Sequence, residues 1–465
     1  MNGELPKGWV WTSLENMTDI VLGQSPPSST YNEDKFGLPF YQGKSEFGLI
    51  YPIPTKWCSS PKKIAEEGDI LISVRAPVGP TNICPKKSCI GRGLAAIRGL
   101  GNINNKFILY LLRNSEEQFR NKATGTTFEA ITGNVLRNFE VPLPPLAEQQ
   151  RIVNKIEELF TNLDKGIESL EQVKYKLKIY RQAILKYAME GKLTEKWREE
   201  NKDKIEPASV LLDKMGQQIK TDNINEDISA EKNMLSKIPL NWICSKLGNI
   251  TLFHQYGWTT RAVDKGTLHL LRTTDITSGR IDWDSVPYCE EEPENVEKYL
   301  LKDGDIVISR AGSVGYSYLI KNPPQKSIFA SYLIRFRPLI NGTFLSYFLR
   351  SPIYWNAISE KSIGIAIPNV NASKLKQINV PIPSLEEQKI IVEHIEQLFS
   401  LADYIEETVD SKLEQSKTLR QSILKKAFEG KLVPQDPNDE PAELLLEKIK
   451  KQRLNKEELV QEKLV

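Results

Sequence analysis

Nowhere in the 465 residues does an uninterrupted apolar run reach the roughly 18 residues that a membrane span needs, so no transmembrane segment is expected. The opening stretch, MNGELPKGWVWTSLEN, lacks the basic start, apolar core and small-residue cleavage site of a secretory signal, which makes the cytoplasm the expected compartment. Cysteine and histidine are scarce. Cys58, Cys84, Cys89, Cys244 and Cys289 make an odd count, with no Cys-x-x-Cys and no zinc-ligand spacing to any of the 3 histidines, so neither disulfides nor a structural metal is expected. Excess charge is missing as well: 62 Lys and Arg face 60 Asp and Glu, and a net charge of +2 speaks against a stand-alone DNA binder unless the charge is unevenly distributed.

Enzyme signatures are absent too. The stretch Gly37 to Ser45, GLPFYQGKS, has one residue too many between its glycines for a phosphate-binding loop, and the residues after it, EFGLIYP, cannot supply the helix whose amides would hold phosphate. Asn322-Pro323-Pro324-Gln325 has glutamine where amino-methyltransferases place an aromatic residue to stack on the target base, and no Gly-rich cofactor loop follows any obvious strand. A surface turn is expected there. Neither His254 nor His269 has a nucleophile or carboxylate at a recognisable spacing, and His394 falls within a helix.

What the chain has is an internal repeat. Val141 to Leu193 aligns without a gap on Val380 to Leu432, and 25 of the 53 positions are identical. Weaker echoes flank it. Leu5-Pro6-Lys7-Gly8-Trp9 matches Ile238-Pro239-Leu240-Asn241-Trp242, Gly68 to Ser73 matches Gly304 to Ser309, and Glu206-Pro207-Ala208 with Leu211-Leu212 matches Glu440-Pro441-Ala442 with Leu445-Leu446. Two halves therefore follow one another, each a variable head, a long helix and a short tail.

In the 53-residue segments, prolines 142, 144 and 145 forbid helix before Leu146, and Gly191 is a natural stop. Roughly 45 helical residues between them would extend about 65 Å at 1.5 Å per residue. Ile152, Ile156, Leu159, Leu163, Leu170, Val173, Leu177, Tyr180 and Ile184 form a heptad stripe, as do Ile391, Ile395, Leu398, Ala402, Ile405, Val409, Leu413, Leu419 and Ile423 in the second copy. Such helices must pair, and the economical partner is the other copy. Heptads alone favour a plain dimerisation zipper; what shifts the balance is that each helix follows a head differing from its counterpart almost everywhere outside a few framework positions.

The heads mix strand-like runs (Asp69 to Val74, Asp305 to Ser309, Leu333 to Phe336) with helical ones (Lys106 to Lys122, Phe344 to Ile358), which indicates an α/β or α+β fold. The expected order is head 1 at 1–140, long helix 1 at 141–193, a linker at 194–235 with a short helix near Val210 to Ile219, head 2 at 236–379, long helix 2 at 380–432, and a tail at 433–465 with a short helix. Charge is unevenly distributed over this order. Residues 1–140 hold 16 basic against 13 acidic side chains and residues 236–379 hold 17 against 12, while the linker, helices and tail are together acidic. Basic heads suit DNA and acidic helices suit protein partners.

The phrase Pro-Leu-Pro-Pro-Leu-Ala-Glu-Gln at Pro142 to Gln149, its copy at Pro381 to Gln388, the paired Arg-Gln-x-Ile-Leu-Lys at Arg181 and Arg420, and the doubled Glu-Pro-Ala tail closely resemble the specificity subunits of type I restriction-modification enzymes. The resemblance covers nearly the whole chain. It implies two target-recognition domains that each read one half of a bipartite double-stranded DNA site, held apart by an antiparallel pair of the repeated helices, an antiparallel coiled coil. It implies further that two modification subunits dock on the chain and supply S-adenosylmethionine and adenine methylation, that restriction subunits add ATP- and Mg-dependent translocation and cleavage, and that this chain is non-catalytic and binds no cofactor itself. A coiled-coil scaffold that reads no DNA, and a self-sufficient methyltransferase, are the alternatives.

Side chains able to read base edges or hold phosphates are Arg, Lys, Asn, Gln, Ser and Thr on loops that enter a groove. In the first head these are Gln24, Ser25, Lys44, Arg75, Arg92, Thr126 and Thr127; in the second, Tyr256, Trp258, Thr260, Arg261, Arg272, Thr274, Arg310, Ser313 and Ser362. Gly68 and Gly304, shared by both heads, are expected to serve the fold. The residues expected to pack the helix pair are Ile152, Ile156, Leu159, Leu163 and Ile184 against Ile391, Ile395, Leu398 and Ile423.

Overall fold

A computed structural model describes residues 4–124, 129–219, 238–362 and 369–462. Its main helices are, in chain order, α1 (Asn105–Asn114), α2 (Leu146–Met189), α3 (Ala208–Ile219), α4 (Gly342–Phe348), α5 (Leu385–Phe428) and α6 (Ala442–Glu462). The expected short helix of the linker is α3, and the linker beyond residue 219 lies outside the described residues. Among the described residues no helix is long and apolar enough to cross a membrane.

Both heads are built on the same pair of sheets. In the first, an antiparallel sheet has the order Thr18–Leu22, Leu94–Gly99, Ile70–Ser73, Thr81–Ile83; in the second the order is Thr251–Tyr256, Leu333–Pro338, Ile306–Ser309, Ser317–Leu319. Beside it lies a mixed sheet with one parallel pairing, Leu38–Tyr41 on Ser88–Ile90 in the first head and His269–Leu271 on Ser327–Phe329 in the second. All four residues of Ile70–Ser73 and of Ile306–Ser309 are buried, as expected of strands covered on both faces.

The repeated Gly-Asp-Ile phrase owes its place to this sheet. Gly68 and Gly304 turn with φ of +84° and +82°, and the following aspartates point inward. Asp69 accepts from the amide of Glu66 at 2.8 Å and holds Arg98 through two bonds of 2.7 and 2.8 Å. Asp305 accepts from the amide of Lys302 at 2.8 Å and is ion-paired with Arg337 and Arg335. Burial nonetheless raises the Asp305 carboxyl above its ordinary value and lowers Arg335, so desolvation outweighs the nearby charges.

The Pro-x-Pro-x-x-x-Glu-Gln phrases fasten each head to its helix. Glu148 accepts the indole N–H of Trp9 at 3.0 Å, and Glu387 that of Trp242 at 2.9 Å. One residue on, the Gln149 amide donates to the carbonyl of Pro144 and that of Gln388 to Pro383, both at 3.0 Å. A tryptophan at the opening of each half thus meets a glutamate some 140 residues later, which explains why these two short motifs occur as a pair.

The compact units cut across the linear order. One comprises residues 1–170 with 410–465, the other residues 171–409, so each long helix contributes one part to each unit. In the first unit Ile152 and Ile156, at the start of α2, share a core with Ile423 and Ala427, near the end of α5; Leu159 packs against it half-buried. In the second, Ile184 near the end of α2 shares a core with Ile391 and Ile395 at the start of α5, flanked by Leu398. The two helices therefore run antiparallel. Leu163 is half-buried. Three positions of the expected stripe are exposed instead: Val173 at 37%, Tyr180 at 40% and Leu419 at 49%. Leu177, Ala402 and Val409 of the stripe are buried at this level, and ion pairs accompany them: Arg181 reaches Asp403 and Glu406 at 2.8 and 2.7 Å, and Arg420 binds Asp164.

The tails complete the pattern. Ala208, Leu211, Leu212 and Met215 of α3 are buried in the second unit, and Ala442, Leu445 and Ile449 of α6 are buried in the first. Arg453 on α6 donates to the carbonyls of Glu15 and Thr18 at 2.6 and 2.9 Å. Each long helix ends on a left-handed glycine, Gly191 at φ +71° and Gly430 at φ +67°, pressed against the opening proline of a head. A Cβ on Gly191 would lie 2.5 Å from Pro239 Cγ, and one on Gly430 2.2 Å from Pro6 Cγ. Gly191→Ala or Gly430→Ala is expected to cost about 2 kcal/mol or more, the left-handed penalty plus a clash with a stiff ring. Amide exchange should show the loss only in the unit that carries the change; a neutral effect at both sites would refute the contact.

Candidate nucleic-acid interface

Sequence-distant residues converge at one edge of the first head. Ser25, Lys44, Arg75 and Arg92 line a cleft of about 530 Å³ together with Gln42, Ser73 and Pro77. The framework presents them. The amides of Gly23 and Gln24 donate to the carbonyls of Leu94 and Ile90 at 2.9 and 3.1 Å, which fixes Ser25, and the Arg92 amide in turn donates to Ser25 Oγ at 3.2 Å. The Glu46 carboxylate accepts the Gly43 amide at 3.0 Å and shapes the turn bearing Lys44. Ser73 Oγ donates to the Arg75 carbonyl at 2.9 Å and shapes the turn bearing Arg75. Lys44, Arg75 and Arg92 are exposed, and among the described residues none of them has a carboxylate within ion-pair distance. Gln24 is exposed beside this cleft but does not line it. Thr126 and Thr127 lie outside the described residues, as does the side chain of Ser362.

The second head repeats the framework with other side chains on it. Gly257 and Trp258 make the same two amide bonds, to Leu333 and Phe329 at 3.2 and 2.8 Å. Ser309 Oγ donates to the Ala311 carbonyl at 3.1 Å, and the Asp275 carboxylate accepts the Arg272 amide at 2.7 Å. Superposing these bonds puts Trp258 where the first head has Gln24, Thr274 where it has Ser45, Ala311 where it has Arg75, and Ser331 where it has Arg92. Arginine thus appears one residue earlier, as Arg310, stacked 5.2 Å above the ring of Tyr256, whose hydroxyl accepts the Ala372 amide at 3.0 Å. The Arg310 Nε is buried and without a hydrogen-bond partner.

The remaining candidates of this head differ in freedom. Arg272 is held by Asp275 in a two-bond pair of 3.1 and 2.8 Å, Trp258 donates its indole N–H to the Glu291 carbonyl at 2.8 Å, and Thr260 Oγ1 accepts the Glu291 amide at 3.0 Å. Arg261 and Thr274 are exposed, and Ser313 is half-buried. Among the described residues no group of three or more His, Cys, Asp or Glu could hold a metal ion.

The model for the type I restriction modification DNA specificity domain matches residues 6–175 and 256–415. The chain belongs to this family. It is a non-catalytic specificity subunit of a type I restriction-modification system. Over 96% of its length this specificity subunit is 28% identical to the EcoBI specificity subunit of Escherichia coli, covering 92% of that protein. It is also 28% identical to the EcoKI specificity subunit of Escherichia coli K12, covering 97% of both chains. A local match, 44% identity over 181 residues, is to the putative MjaX specificity subunit of Methanocaldococcus jannaschii and covers 38% of this chain and 43% of that protein. The fold matches a chain of a structure describing assembly and conformational transition of the type I R-M system, with a TM-score of 0.64, 20% identity and coverage of 92% of this chain and 100% of that one. It also matches the HsdS subunit from Thermoanaerobacter tengcongensis, with a TM-score of 0.54, 18% identity and coverage of 92% and 99%.

A residue pattern that sequence reasoning missed lies on the head helices. Asn104 and Asn341 cap α1 and α4, and aligning the caps sets Phe107, Tyr110 and Arg113 on Phe344, Tyr347 and Arg350. The signal was present as Phe-x-x-Tyr-x-Leu-Arg in both heads, though only 7 residues long.

Proposed function

We propose that the first head's cleft at Ser25, Lys44, Arg75 and Arg92, and the matching surface around Arg310, Tyr256 and Thr274, each read one half of a bipartite double-stranded DNA sequence. The observation that carries this is a shared framework with unlike side chains: the same backbone bonds present Lys44, Arg75 and Arg92 in one head and Thr273, Ala311 and Ser331 in the other, where arginine stands one residue earlier as Arg310. Two different half-sites demand just such a difference. Unpaired guanidinium and ammonium groups can bind phosphate or guanine without first breaking an ion pair, whereas Arg272 would have to leave Asp275. The paired helices α2 and α5 set the spacer, since two readers must match the distance and rotation of the duplex and a helix pair is stiffer than a linker. Two modification subunits bring S-adenosylmethionine, restriction subunits bring ATP and Mg, and the complex works in the cytoplasm.

The test is to map methylated adenines in cells expressing the chain with its modification partner, then to replace residues 236–379 by the second head of a relative. A split motif of which only one half changes is the expected result. No methylation, or a motif untouched by the exchange, would leave the chain as a scaffold.

A further inference from the structure

Outside the reading surfaces, one cluster is repeated almost residue for residue in the two units. In the second, Arg181, Tyr347, Arg350, Glu396, Phe399 and Asp403 enclose a cleft of about 510 Å³. Tyr347 meets Phe399 edge-on at 5.8 Å, and the Arg350 guanidinium lies over both rings at 5.7 and 5.8 Å. In the first unit Tyr110 meets Phe160 edge-on at 5.7 Å, Arg420 lies over Phe160 at 4.7 Å and binds Asp164, and Arg113 occupies the place of Arg350. Side chains that read two different half-sites should differ between the halves; these do not.

Part of the cluster serves the fold. Arg181 with Asp403 and Glu406, and Arg420 with Asp164, join the two long helices. The second arginine of each set has no such role. Arg350 is exposed and, among the described residues, has no carboxylate within ion-pair distance; Arg113 is held only by Thr81 Oγ1 at 3.4 Å and the Leu49 carbonyl at 3.2 Å. Burial without a counter-ion holds the Arg113 guanidinium below its usual value.

We infer that the cleft of the second unit and the matching cluster of Tyr110, Arg113 and Phe160 in the first unit are the docking points of two copies of one protein partner, each copy setting a carboxylate on Arg350 or Arg113 and an apolar side chain on the tyrosine–phenylalanine pair. The inference rests on the proposed assembly with modification subunits and locates where they bind. Duplicated chemistry calls for one partner taken twice. An arginine stacked on aromatic rings is the kind of anchor on which protein interfaces concentrate their binding energy. The DNA backbone fits poorly, because Glu396 and Asp403 line the same cleft and would repel a polyanion, whereas a protein segment can carry both signs.

The test is native mass spectrometry and titration of the full chain co-expressed with the modification subunit, as wild type, Arg350→Glu, Arg113→Gln and the double variant. Arg350→Glu leaves the ion pairs of Arg181 and Arg420 intact, and Arg113→Gln keeps a donor toward Thr81 and Leu49. Two copies on the wild type, one on each single variant and none on the double are expected, with affinity at the altered site down about 30-fold or more and the melting temperature unchanged. Rescue by Arg350→Lys to an intermediate affinity would separate charge from stacking. If the wild type and all variants bind two copies equally, the two sites are not the docking points although the proposed function stands. If the wild type binds no copy, the assembly itself is refuted. If the variants keep both copies but lose DNA affinity with a shallower salt dependence, the two sites hold phosphate and the inference is overturned.

Discussion

Glu387→Ala should destabilise the second unit by about 3–5 kcal/mol, while the equivalent Glu148→Ala should cost the first only about 1–3 kcal/mol. The two glutamates occupy the same position in the repeat but have different company. The side chain of Glu387 is fully buried and accepts from Trp242 Nε1 at 2.9 Å, Thr194 Oγ1 at 2.7 Å and Arg198 Nη1 at 2.6 Å. Arg198 is itself only 14% exposed; its Nη1 also donates to Thr194 Oγ1 at 2.8 Å and its Nη2 to the Gly191 carbonyl. Removing the carboxylate leaves a guanidinium in the interior with no counter-charge, which is the expensive way to break a buried pair. Glu148 holds only Trp9 at 3.0 Å and the Gln435 amide at 3.3 Å, both neutral donors, so its loss strands no charge.

Site-resolved amide exchange on each variant measures the two units separately, which a global melt of a two-unit chain cannot do. Equal losses in the two units would show that Arg198 finds water or another acceptor. Acidity adds a second signature. Burial, ahead of the bonds from Trp9 and Gln435, raises the Glu148 carboxyl above the ordinary carboxylate range. A raised carboxyl means that the folded unit binds the proton more tightly than the unfolded chain. Its contribution to stability is therefore complete below the unfolded value and is lost as pH rises through the folded one. The gap between wild type and Glu148→Ala should narrow over that window.

Arg75→Ala should relax discrimination in one half of the DNA site and Arg310→Ala in the other, each by about 5- to 150-fold if the guanidinium makes a two-bond contact to guanine worth about 1–3 kcal/mol. Arg310 is the better prepared of the two. It is pinned over Tyr256, which is fixed through its hydroxyl to the Ala372 amide, so little freedom remains to be lost on binding. Arg75 stands on an exposed turn with no ring stacked on it among the described residues, and its Ala variant should lose less. Lys44→Ala serves as the contrast: a phosphate contact weakens every sequence alike and lowers the slope of log affinity against log salt by about 1. Competition binding of the assembled complex against half-site variants at several salt concentrations separates these cases. A change in both halves from either arginine variant would mean that the residue positions the complex rather than reads a base.

The repeat, its helical character and the ends of the long helices follow from local chemistry, so the sequence determined them by itself. Prolines 142, 144 and 145 bar helix and Gly191 takes a left-handed turn whatever the distant chain does, and α2 indeed runs from Leu146 to Met189. The strands at Ile70–Ser73 and Ile306–Ser309 and the short helix at Ala208–Ile219 were legible for the same reason. Family membership was legible from the doubled phrases, because duplication and fixed spacing survive in one dimension.

Tertiary structure alone decided which parts answer one another. Trp9 finds Glu148 and Trp242 finds Glu387 because the chain returns on itself after a whole head. The heptad stripe leaves Val173, Tyr180 and Leu419 exposed while Leu177, Ala402 and Val409 stay buried, and the charge pairs of Arg181 and Arg420 join the helices beside them, a contact that leaves no mark on the helical period. Lys44, Arg75 and Arg92 were three basic residues among 16 in their head until strand pairings set them around one cleft. The offset of Arg310 from Arg75 by one position appears only when hydrogen bonds, not letters, are aligned. Contacts between residues far apart in sequence depend on sheet register and helix packing, which no local pattern encodes.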